Sequence, residues 1–211
     1  MASNLAAISQ SQATAAPPET AAESISVIAP ADTAATRPAA TRPQVRMGRA
    51  ATLPAGVNWL TVVIVGIFHA GALAALFFFT WQRLAVMAII YILAINVGIG
   101  MCYHRLLTHR GYRVPKWLEY LMTVCATLSL EGGPIFWVST HRVHHQLSDK
   151  EGDPHSPREG GWWAHTGWIL FGEALHAQTE ALARYSPDLS RDRFHVWMSK
   201  YHWLPITVSG L

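Results

Sequence analysis

Two short runs, His-Arg-Leu-Leu-Thr-His at 104–109 and His-Arg-Val-His-His at 141–145, gather five of the chain's 11 histidines. Neutral imidazole is the commonest metal ligand. On a helix, steps of three and four residues turn a side chain by about −60° and +40°, so His141, His144 and His145 share one face about 100° wide. Three imidazoles on such a face converge on one metal ion or on a pair. His104 and His109 are about 140° apart around a continuous helix and meet at one ion only where the helix ends or bulges. Gly111 favours an ending there, and the two can also serve different ions. The scattered His69, His176, His195 and His202 carry no such signal and are read as structural.

All-imidazole ligation suits zinc, copper, iron or nickel, so ligand type alone leaves the metal open. The sequence has no His-Glu-x-x-His signature and no cysteine cluster; Cys102 and Cys125 both sit in apolar runs and are read as small buried residues. Beside a lipid phase the natural substrate is an unactivated hydrocarbon, and oxygen chemistry on such a substrate calls for a redox metal, iron or copper. Two irons need more than five protein ligands, and the remaining ones are expected beyond Leu211.

The elements that position these histidines are membrane elements. The chain is 51% hydrophobic and only 14% charged, against roughly 25% charged in ordinary soluble domains. From Val57 to Tyr103 the sole charged side chain is Arg83. The net charge of +3 is small and dispersed, which excludes a nucleic-acid footprint and leaves membrane lipids as the natural partner. Val57–Phe79 and Leu84–Tyr103 are each long enough to span a bilayer as a helix, and the four-residue link between them makes an antiparallel hairpin. Arg37, Arg42, Arg46 and Arg49 precede the first span and Arg105, Arg110, Arg113 and Lys116 follow the second, so the positive-inside rule puts the N-terminus and both histidine runs in the cytoplasm.

Residues 1–50, rich in Ala, Thr, Pro and Ser, read as a disordered tail without a signal-peptide pattern, and 51–211 as one domain. Trp117–Leu130 is too short to cross and reads as a helix lying in the interface, closed by Glu131-Gly132-Gly133-Pro134. Trp162, Trp163 and Trp168 suit the headgroup level. A polar helix to about Tyr185, a loop at 186–190 and a helix capped by Ser190 and running to Trp203 complete the reading. An apolar run that begins after Pro205 and stops at Leu211 reads as truncation.

On the residues "MCYHRLLTHRGY" and "EGGPIFWVSTHRVHHQLSDKEGDPHSPREGGWWAHTGWILF", with "RYSPDLSRDRFHVWMSKYHWLP" after them, the sequence resembles the membrane fatty acid desaturases of the Δ9, stearoyl type, over about 57–211. The resemblance implies an all-α integral membrane fold, here a truncated four-span one: a transmembrane hairpin, interfacial helices and a cytosolic helical cap carrying the histidine boxes. It implies a di-iron centre, placed in a bacterial inner membrane or its equivalent. Two electrons from a ferredoxin or cytochrome b5 type donor let O2 remove two hydrogens from a saturated acyl chain, leaving a cis double bond. His104 and His109 correspond to the first box, and His141, His144 and His145 to the second; the third has no counterpart in these residues.

Asp153 and His155, in "GDPHS", match a recurrent stretch after the second box. A carboxylate there orients the second nitrogen of a ligating imidazole, although Asp-Pro also builds a turn unaided. Trp137, one helical turn before His141, is a candidate wall of the acyl tunnel or a packing residue. Animal acyl-CoA enzymes have Arg-Asp directly before the second box where this chain has Ser139-Thr140, and "EGGPI" is closer to bacterial enzymes, so acyl-CoA and acyl-lipid substrates both stay open. The rival readings are a related di-iron lipid hydroxylase and a non-catalytic metal- or haem-binding membrane protein. A haem protein would hold its ligands inside the spans, where only His69 lies.

Overall fold

The computed structural model describes residues 47–172 and 179–210. Most of the expected tail, with Arg37, Arg42 and Arg46, and His176 lie outside the described residues. The last residues of that segment are in place: Met47 is buried against Phe136, Val143 and Leu182, and Arg49 opens a short helix, α1 (Arg49–Thr52). Its backbone N–H and its guanidinium both donate to Glu159.

All the regular elements among the described residues are helical. Helix α2 (Trp59–Phe78) starts at Asn58, whose side chain accepts the Thr61 N–H at 3.2 Å. Its foot is tied to the chain around Phe171 by backbone bonds from Asn58 N–H to Leu170 and from Gly172 N–H to Gly56. Thr80 caps α3 (Trp81–Thr108) by accepting the Arg83 N–H. The link between the two long helices is therefore shorter than the expected 80–83, and Arg83 falls in the first turn of α3. Helices α2 and α3 are long and apolar enough to cross a membrane, and neither α2 nor the Trp81–Tyr91 half of α3 has a buried residue.

The second half of α3 behaves differently. From Ile92 to Thr108 it is wound as a π-helix and buries Cys102, Tyr103, Leu106 and Leu107, so the helix runs five residues past the expected end at Tyr103. Helix α4 (Lys116–Thr127) runs back along it, burying Met122, Thr123, Ala126 and Thr127. The approach is close: a Cβ on Gly98 would lie 2.4 Å from the Ala126 Cα, so only glycine fits. At about 1.5 Å per residue α4 is far short of a roughly 30 Å hydrocarbon core, so it cannot cross.

A turn through Leu130 and Gly132, both at positive φ, reverses the chain into α5 (Pro134–Leu147). Helix α6 (Trp168–Leu170) follows a wide turn at Trp163–Gly167. Trp162 is 59% exposed, as a headgroup residue should be, but Trp163 is buried, its ring facing Phe171 and the Arg49 guanidinium. Helices α7 (Thr179–Leu182), α8 (Pro187–Ser190), α9 (Arg193–Lys200) and α10 (Leu204–Ser209) complete the described chain. The expected loop at 186–190 is thus the helical turn α8, entered through Pro187. The cap of α9 is Asp192, which accepts the Phe194 N–H at 3.0 Å, because the Ser190 hydroxyl is already donating back to Ala183 and Ser186.

Candidate metal centre

The winding of α3 decides where the first two histidines point. The His109 N–H donates to the His104 carbonyl at 3.1 Å, an i to i+5 bond. Such bonding widens the turn to about 4.4 residues, which brings positions five apart to within about 50° of each other. The two rings sit edge to face with centroids 4.7 Å apart. Arg110, at φ +52°, and the Gly111 N–H bonded to Arg105 then end the helix.

Helix α5 brings the other box to them. It begins at Pro134 with its Ile135 N–H on Ser199, and a Cβ on Gly133 would lie 2.5 Å from the Ser199 Cα. His141 and His145, one turn apart, face α3: centroids are 4.9 Å for His104–His141 and 4.6 Å for His109–His145. One ring nitrogen from each of His104, His109, His141 and His145 lies within a 4.8 Å set, with His141 Nε2 and His145 Nε2 only 3.2 Å apart. Burial first, then the neighbouring imidazoles, push the His141 pKa down to about 3 and lower that of His145. Both are neutral near pH 7 and present lone pairs. This donor set fits a metal ion.

His144 turns to the side of the α5 face. Its Nδ1 pairs with Asp153 Oδ1 at 2.8 Å, and its ring stacks on His155 at 4.3 Å. Asp153 is fully buried and also accepts the N–H groups of Asp149 and His155. Burial alone raises its pKa; the His144 contact and the two N–H donors outweigh that and hold it below the usual carboxylate range. The Asp-Pro turn and the carboxylate–imidazole contact are therefore one structure, which leaves His144 Nε2 free. His155 is sandwiched between His144 and Trp168. Trp137 packs against Tyr103 and His141 and donates Nε1–H to Glu131 at 2.9 Å.

One part of the site had no sequence signal. Arg142, among the box histidines but pointing the other way, donates to both carboxylate oxygens of Asp188 at 2.7 and 3.0 Å, to the Tyr185 carbonyl, and to the Leu107 carbonyl at 2.7 Å. It clamps the end of α3 to α5 and α8 behind the histidines. Arg110 also reaches Asp188, and the two guanidiniums hold that carboxyl well below the usual range against its burial. His69 bonds the Val65 carbonyl one turn back, and His202 the Ser199 carbonyl.

No family model matches the chain. It is 41% identical over 149 residues to an sn-2 palmitoyl-lipid 9-desaturase of Nostoc sp. (strain 36), covering 70% of this chain and 52% of the relative. It is 39% identical over 147 residues to an sn-1 stearoyl-lipid 9-desaturase of Anabaena variabilis, covering 69% and 53%. The chain belongs to the membrane fatty acid desaturase family. A plant desaturase, Delta-9 acyl-lipid desaturase 2 of Arabidopsis thaliana, is 47% identical over 132 residues, covering 63% of this chain and 42% of the relative. The chain thus spans about half the length of the curated desaturases it matches.

Proposed function

We propose that this chain carries two histidine boxes of an O2-dependent di-iron acyl desaturase that places a cis double bond, of Δ9 type, in a lipid-bound acyl chain. The observation that carries the proposal is the meeting of His104, His109, His141 and His145 beside two long apolar helices, in a chain similar to lipid 9-desaturases. Iron held by these imidazoles and His144 supplies the redox chemistry with O2 that an unactivated C–H bond requires; a pair of ions takes further donors. The protein's own part is positional. Asp153 fixes the His144 tautomer with the proton on Nδ1 and the lone pair on Nε2. Arg142 fixes the spacing between the two boxes from behind. Trp137, packed against His141, would wall the acyl chain beside the metal site. The N-terminus and the boxes face the cytoplasm, where a ferredoxin or cytochrome b5 type donor delivers electrons. Acyl-lipid substrates are favoured over acyl-CoA by the relatives' names and by Ser139-Thr140 before the second box.

The test is expression of the full reading frame encoding this chain in a desaturase-deficient host, with mass spectrometry of its lipids. Cis-Δ9 monoenes that vanish with His141→Ala and His144→Ala, while membrane insertion persists, are expected. Hydroxylated chains in place of alkenes would move the reading to the sister hydroxylases.

A further inference from the structure

Glu119, Asp192 and His195 share no motif, and His195 is an isolated histidine in the sequence. The fold brings them together at the joint of α4 and α9, with a ligand atom from each inside a 4.8 Å set. Glu119 lies in the first turn of α4, Asp192 is the cap of α9, and His195 follows one turn later. His195 is fully buried, and neither of its ring nitrogens has a hydrogen bond. Nε2 stands 3.6 Å from Glu119 Oε1 and Nδ1 3.4 Å from Asp192 Oδ2, beyond the roughly 2.7–3.2 Å of a good N–H···O bond. Burial lowers the His195 pKa despite both carboxylates, so the ring is neutral and keeps a lone pair. A cation already sits between the acids. Lys116, with its side chain 63% exposed, reaches in from the surface to place Nζ 2.7 Å from Glu119 and 3.1 Å from Asp192. Tyr120 also donates to Asp192, at 3.0 Å.

We propose that Glu119, Asp192 and His195 form a site for a divalent transition ion, separate from the histidine boxes, which the ion enters by displacing the Lys116 ammonium. Two carboxylate oxygens and one imidazole suit zinc, manganese or iron and disfavour copper(I), which selects sulfur donors. An ion there staples α4 to α9. Since Ser199 of α9 accepts the Ile135 N–H, the staple also steadies the start of α5.

The probe is cobalt(II) alone, titrated into the purified chain in detergent and followed by its visible absorption. A variant without His104, His109, His141 and His145 keeps one ion per chain; adding Glu119→Gln, or Asp192→Asn, which preserves the cap, weakens that ion about tenfold or more. Lys116→Met tightens it about threefold, because no ammonium competes. If the four-histidine variant binds nothing, or binds equally well with Glu119→Gln, the cluster is an ion pair only and the proposal fails. Should that variant not fold, the wild-type chain is compared with Glu119→Gln/Asp192→Asn by metal content. One ion fewer supports the site, and an unchanged count overturns it.

Discussion

Helix α2 with the first half of α3, and the histidine-bearing part that follows, are built for different surroundings. Helix α2 and residues 81–91 of α3 bury nothing and turn Leu60, Ile67, Phe77, Met87 and Ile89 outward, while charge is confined to Arg83. Ile92–Thr108, α4 and α5 share a core of Cys102, Tyr103, Leu106, Met122, Ala126, Ile135 and Val138, and behind it stand ion pairs and side-chain hydrogen bonds. The same covalent helix belongs to both. Lipid contact asks only that the first half be apolar and long, whereas the second half must fix side chains to within tenths of an ångström. Substitutions should therefore be tolerated in one and costly in the other.

The widest separation is expected at Asp153→Ala. It leaves His144 unoriented and the N–H groups of Asp149 and His155 unpaired, so metal affinity should fall about 10- to 100-fold by titration. Arg142→Ala removes the clamp on Leu107 and leaves Asp188 with Arg110 alone; a loss of about 2–3 kcal/mol by denaturant unfolding in detergent is expected, with weaker metal binding. Gly98→Val pushes α4 from α3 and should cost about 1–3 kcal/mol, whereas Gly71→Val, in open space on α2, should cost little. Acidification separates the halves without mutation. The His141 pKa is about 3 in the fold against an ordinary 6.5, so between those values the unfolded chain binds the extra proton and stability falls as pH falls. Corrected for the intrinsic pH dependence of amide exchange, protection across that range should fall in α5 and stay level in α2. Smallest is Thr80→Ala, which removes a cap worth about 1 kcal/mol and should leave metal binding unchanged.

Hydropathy alone announced both long helices, because lipid contact is a property of composition summed along the chain. The i, i+4 spacing of His141 and His145 announced a shared face. His144 lies on the same face by angle, and Asp153, nine residues on, takes up its Nδ1, a contact made only once the turn is folded. The meeting of His104 and His109 depended on a helix wider than the usual one, for which no residue in Ile92–Thr108 is a signature. Arg142 with Asp188, and Glu119 with His195, are pairings across 46 and 76 positions, where no local periodicity acts. The cap of α9 was displaced by two residues because Ser190 had a nearer acceptor.

The π winding of α3 makes ion capture and helix pitch a single variable. If Ile92–Thr108 relaxed to ordinary α winding, His109 would swing about 90° away from His104, and the segment would lengthen by several ångströms along its axis. An ion gripped by both boxes would therefore hold the second long helix at its wider winding. Loading and unloading it would be felt at the far end of that helix, among residues that touch neither the ion nor its ligands.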